Sequence, residues 1–151
     1  MKTLNNTYAT TYTNLKEIKT FCDIHSIDDW KEVTENLLSA SDDFEVNDYR
    51  FIRASEIDKI QIEELSSDLY ILGCFTDWFI TENTNLPLKV VQALQKAEAY
   101  EELGELMIDS IEDIQAEYAR LDGYGHHFAH YDHVTIEETF NGIEYYIFRV
   151  N

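Results

Sequence analysis

The sequence predicts an α+β fold, and three observations carry that reading. β-Branched and aromatic residues crowd short runs near the N-terminus, apolar residues recur every three to four positions through the middle, and two apolar stretches flank Asn141-Gly142. The expected architecture is a small N-terminal antiparallel sheet with one helix, an acidic helical middle, and a C-terminal helix plus β-hairpin. The corresponding domains are 1–57, 58–108 and 109–151.

Residues 7–12, Thr-Tyr-Ala-Thr-Thr-Tyr, read as a strand, and Ile18 to Ile24 read as a second. Ser26 followed by Asp29 forms a capping box ahead of Ile27, Trp30, Val33, Leu37 and Leu38, which predicts a helix over about 27–40. The cluster Ser39 to Asp43 ends it, and Phe44, Val46 and Tyr49 open a strand running towards Ile52.

From Ile60 the period becomes 3.6, with Ile62, Leu65, Leu69, Leu72, Phe75 and Phe79 on one face of a helix of about 18 residues. Asn85 caps the next helix, with Pro87 in its first turn and Val90, Val91 and Leu94 on its apolar face. A short helix over 98–107 follows. Ser110 with Asp113 then caps a helix carrying Ile111, Ile114, Tyr118 and Leu121, and Gly123 stops it. Val134 to Phe140 and Ile143 to Val150 flank the asparagine-glycine pair that favours a two-residue type I′ hairpin.

Composition narrows the function classes. A chain of 151 residues with 44 % hydrophobic residues buries roughly 70 % of its unfolded surface and needs no covalent staples. Yet 30 acidic against 11 basic residues give a net charge of −19. That charge opposes unaided binding to nucleic acid or an anionic membrane, so the expected partners are cationic. The charge is unevenly spread: −5 over residues 1–60, −4 over 61–100 and −10 over 101–151.

No stretch is long and apolar enough for a signal or a membrane span, and Cys22 and Cys74 form no metal or redox motif. The expectation is a soluble cytoplasmic protein with both thiols buried.

Signatures for enzymes are sparse. No phosphate-binding glycine loop, nucleophile elbow or HExxH occurs, and adjacent pairs such as Asp42-Asp43 or Glu63-Glu64 are expected by chance among so many acids. The exception is His126-His127-Phe128-Ala129-His130-Tyr131-Asp132-His133, four of the five histidines within eight residues. If the segment is extended, His126, His130 and Asp132 share one face and His127 and His133 the other, so fewer than four ligands converge. No metal and no cofactor are expected. A small metal-dependent enzyme built on this cluster is the alternative from a different class.

The acidic middle carries the functional signal. Glu101, Glu102, Glu105, Asp109, Glu112, Asp113 and Glu117 fall on consecutive short helices, with no Lys or Arg from 97 to 119. A solvated helix ordinarily alternates charge sign at i,i+4, whereas a run without compensating bases makes a field. Carboxylates roughly 5–6 Å apart along a helix approximate the charge spacing of duplex DNA.

The pattern resembles the ArdA-type antirestriction proteins, DNA mimics directed against type I restriction-modification enzymes. Tyr8 to Asn14 looks like the family's opening strand and turn, Asp28 to Leu38 its first helix, Asp43-Phe44-Glu45-Val46-Asn47-Asp48-Tyr49 its acidic aromatic strand, and Gly123-Tyr124-Gly125 with Val134 to Val150 its closing segment. Leu15 to Phe21 stands where the family has glycines and a tryptophan, and Arg50 where it commonly has an acid. The resemblance implies an elongated three-part molecule, often a homodimer, that occupies the DNA path of the enzyme's methyltransferase core without catalysis.

With the charge map, the expected partner-binding surface comprises Asp42, Asp43, Glu45, Asp48, Glu63, Glu64, Glu101, Glu102, Glu105, Asp109, Glu112, Asp113, Glu117 and Asp122. An immunity or anti-CRISPR-like protein that blocks another basic nucleic-acid-binding protein through one local patch is the nearer alternative.

Overall fold

The computed structural model describes residues 15–151, so the expected strand at 7–12 and the whole opening strand and turn of the resemblance, 8–14, lie outside the described residues. The fold is α+β. Helix α1 covers 15–24 and α2 Trp30–Leu38, followed by β1 Asp43–Val46 and β2 Tyr49–Arg53. Helices α3 Ile57–Ser67, α4 Leu69–Gly73, α5 Asp77–Asn83, α6 Leu88–Lys96 and α7 Tyr100–Met107 lead through a 3-10 turn, Ile108–Ser110, into α8 Ile111–Asp122. Helix α9 Tyr124–Phe128, β3 Ile136–Phe140 and β4 Ile143–Arg149 complete it. Among the described residues no helix is long and apolar enough to cross a membrane.

The chain divides into two units, residues 1–57 with 124–151 and residues 58–123. The expected boundary at 57/58 coincides with this division, but the one at 108/109 does not. Helix α8 buries Ile114 and Tyr118 in the core of the helical unit, while the C-terminal hairpin joins the N-terminal sheet.

The sheet unit is held by one antiparallel sheet in the order β1-β2-β4-β3. β4 pairs Tyr49 with Arg149 and Phe51 with Ile147 on one side, and Ile136 with Ile147 on the other. Period-2 alternation sends Tyr49, Phe51, Tyr145 and Ile147 to the face covered by α1 and α2, which contribute Ile18, Phe21, Cys22, Val33 and Leu37. Asn141 and Gly142 have φ of 53° and 77°, as the I′ turn requires.

Ile18 to Ile24 is helical, contrary to the expected strand. Its composition favours β structure, but Ile18, Phe21 and Cys22 stand at i, i+3 and i+4 and are all buried, so the helical period prevails. The expected strand from Phe44 to Ile52 is a hairpin, because Asn47 takes φ 53° and turns the chain with Asp48. The Ser26 capping box does not form. Ser26 itself has φ 57°, and the Asp29 carboxylate accepts the Asn47 side-chain amide at 2.9 Å while the Asp29 N–H donates to Asn47 Oδ1 at 3.2 Å.

In the helical unit, the long helix expected from Ile60 is three. Asp68 accepts the Ile71 N–H at 3.2 Å and Thr76 accepts the Phe79 N–H at 3.2 Å, so each caps a new helix inside an uninterrupted apolar stripe. Pro87, not Asn85, is the N-cap of α6, and Ser110 makes no side-chain cap because the 3-10 turn runs directly into α8. Gly123 stops α8 at φ 76°.

Helices α4 and α7 pack backbone to backbone. A Cβ on Gly73 would overlap the Tyr100 carbonyl, and one on Gly104 the Leu69 carbonyl. Beside them, the buried Gln115 amide ties α8 to α3 by donating to Gln61 Oε1 at 2.8 Å and Asp58 Oδ1 at 2.9 Å.

Candidate functional site

Helix α7 turns Leu103, Gly104 and Met107 inward, and the 3.6 period therefore turns Glu101, Glu102 and Glu105 outward. Helix α8 buries Ile114, Gln115 and Tyr118 and so exposes Glu112 and Asp113. With Asp109 on the intervening 3-10 turn, these six carboxylates are exposed, and none has an ion pair among the described residues. Their backbone is fixed by the close α4–α7 crossing and by the Gln115 bonds, so the charges sit on a rigid scaffold. Asp122, at the end of α8, is also exposed.

Glu117 differs from its neighbours. Arg120, one residue beyond the base-free run, donates Nε to Glu117 Oε2 at 2.9 Å in a two-point pair. That guanidinium holds the Glu117 carboxyl below the usual carboxylate range. The seventh charge is thus cancelled locally. Glu117 and Asp113, with Glu82, Asn83, Asn85 and Ser110, line a polar groove of about 390 Å³. Elsewhere in the helical unit Glu63 is exposed and Glu64 half-buried.

Of the four expected acids of the sheet unit, Asp42 and Asp43 are paired with arginines. Asp43 receives Arg50 Nε at 2.8 Å and Nη2 at 2.7 Å, and Asp42 lies 3.6 Å from Arg53. Glu45 stands opposite Arg50 in the β1–β2 register, while Asp48 is exposed in the turn. Arg50, which breaks the acidic pattern of the resemblance, thus acts as a counter-charge. Reading by composition missed Glu137, Glu138 and Glu144, which the hairpin exposes. Their strand alternation was the available signal: Glu137 and Glu144 lie opposite Tyr146 and Thr139, on the face of the sheet that also carries Asp43 and Glu45.

The histidine segment is not extended as assumed. It begins inside α9, where His127 packs edge-on against Phe128 with ring centroids 4.6 Å apart, and His133 at φ 58° folds back so that its ring stacks on His126 at 5.3 Å and 25°. Gly125 permits this, since a Cβ there would overlap the His133 carbonyl. Ring-nitrogen lone pairs lie in the imidazole planes, so stacked rings aim past each other. Asp132 is engaged by the Val134 N–H at 3.0 Å, and no three His, Cys, Asp or Glu side chains among the described residues gather as metal ligands.

The two cysteines separate. Cys22 is buried, and burial, then the neighbouring Asp23, pushes its thiol up to about 11. Cys74, the C-terminal cap of α4, is exposed, contrary to the expectation that both are buried. Comparison with protein-family models, curated proteins and solved structures finds no match to this chain.

Proposed function

We propose that the protein is a non-catalytic DNA mimic that occupies the DNA-binding groove of a type I restriction-modification enzyme. The observation that supports this is the run of six exposed carboxylates on α7, the 3-10 turn and α8, none of which has an ion pair among the described residues. Such a run has the sign of a phosphate strand, with carboxylates three or four positions apart on one helix roughly 5–6 Å from each other, and a groove lined with Lys and Arg exchanges its counterions for it as it would for DNA.

The test is competition. Inhibition of a type I enzyme's DNA binding should weaken steeply between roughly 50 mM and 500 mM salt. Equal binding at both would sink the reading.

The arginine pairing of Asp42 and Asp43 favours a second reading, in which only one local patch is active and the target is another basic nucleic-acid-binding protein. Replacing Glu45, Asp48, Glu137 and Glu144 by their amides separates the two. A mimic that uses both units loses affinity, and a single-patch inhibitor does not.

A further inference from the structure

The α4–α7 crossing brings together side chains that a purely electrostatic mimic does not require. Tyr70 is 51 % exposed and Ile71 48 %, both on α4, and the Tyr70 ring meets Tyr100 at the start of α7 edge-to-face with centroids 5.2 Å apart. Cys74, one turn along from Tyr70, is exposed beside it. Around this pair the chain is acidic: Glu98 lies two residues before Tyr100, and Glu101 and Glu102 follow it on α7, all three exposed. An exposed tyrosine face edged by carboxylates is complementary to a guanidinium, which stacks on the ring and keeps its N–H groups free for the acids. The protein already makes this contact internally, where Arg149 lies 3.9 Å over the ring of Tyr131.

We propose that Tyr70, with Tyr100, Ile71 and the adjoining Glu98 and Glu101, is an arginine-accepting anchor at the end of the acidic row. It would bind an Arg side chain of the target protein by stacking as well as by charge. The inference rests on the proposed function for the identity of the target but not for the chemistry. Aromatic and arginine side chains dominate binding hot spots, whereas exposed ion pairs contribute little singly, so a charge row alone would not select one partner among many basic proteins. An anchor supplies that choice.

Titration of the full-length chain with nona-arginine and nona-lysine at about 0.3 M salt, where widely spaced exposed charges are screened, tests the anchor directly. Nona-arginine should bind about two- to five-fold more tightly than nona-lysine and should slow alkylation of Cys74. Tyr70→Ala and Tyr70→Leu should both erase the preference, the second because it keeps apolar area but has no π face, and Tyr70→Phe should retain it. Equal binding of the two peptides overturns the proposal, as does a preference that survives Tyr70→Leu. If the arginine preference holds but no type I enzyme is inhibited, the anchor stands and the proposed target falls. If inhibition holds with no arginine preference, the anchor alone falls.

Discussion

The two units carry their acids differently. The spans 1–57 and 124–151 hold 15 acidic and 7 basic residues, net −8, whereas 58–123 holds 15 and 4, net −11. In the sheet unit arginines stand on neighbouring strand positions and take up Asp42 and Asp43. In the helical unit one arginine takes up Glu117 and six neighbouring carboxylates are left facing solvent. Negative charge is thus part of the packing in one unit and a surface resource in the other, and net charge by itself does not reveal which.

Substitutions can break that contrast, and the two tryptophans make each unit readable, since Trp30 lies in the sheet unit and Trp78 in the helical one. The largest effect is expected from Phe51→Ala, which empties the centre of the sheet unit's aromatic core and should cost about 4 kcal/mol in urea unfolding followed at Trp30. Gly104→Ala should cost about 2 kcal/mol, followed at Trp78, by forcing α7 off the Leu69 carbonyl. Loss of Gly104 with no change in the midpoint would show that the crossing tolerates separation.

An alkaline effect of similar size should belong to the sheet unit. The Cys22 thiol is raised in the folded state to about 11 from an ordinary 9, so the fold holds its proton longer than the unfolded chain does. The resulting stabilisation is full below pH 9 and is lost as pH rises towards 11, on the order of 2 kcal/mol, and Cys22→Ala should flatten the slope.

Asp43→Asn should cost about 1 kcal/mol at Trp30, since it breaks a two-point pair with the largely buried Arg50. The smallest effects sharpen the comparison most. Replacing any one of Glu102, Glu105, Asp109, Glu112 or Asp113 by its amide should change target affinity by about 0.5 kcal/mol, whereas all five together should abolish inhibition without loss of helical-unit stability. A single one that destroyed activity in a folded protein would point instead to catalysis or an anchor.

How far the sequence revealed this depends on the range of the interaction. The Asn141-Gly142 turn, the Gly123 stop and the apolar stripe through Leu65, Leu72 and Phe79 are local signals, and each appears in the structure. Asn47 was equally local, but its turn lay hidden in an acidic, aromatic run that reads as a single strand. Asp68 and Thr76 cut a helix whose hydrophobic period never falters, so periodicity could not register them. The pairing of β4 with β2 joins residues almost a hundred positions apart, and no spacing rule announces it. The same holds at the surface. Composition identified the acids of α7 and α8, and the Glu117–Arg120 pair stands at i,i+3 on one helix and was legible, yet the arginine partner of Asp43 and the meeting of Tyr70 with Tyr100 follow only from the fold.

The place of β4 in the sheet has a consequence for the order in which the protein can be made. A chain emerging from the ribosome presents β1 and β2 first, then the whole of residues 58–123, and only afterwards the strand that lies between β2 and β3. Until that strand arrives, the inner edge of β2 offers unpaired N–H and C=O groups beside Phe51 and Ile52, an apolar template for any extended segment in reach. The helical unit, whose core residues are all drawn from a single continuous stretch, has no such wait. Nascent chains stalled before Ile143 should therefore hold a folded acidic module behind an unfinished sheet, and that interval is when the protein is most exposed to aggregation.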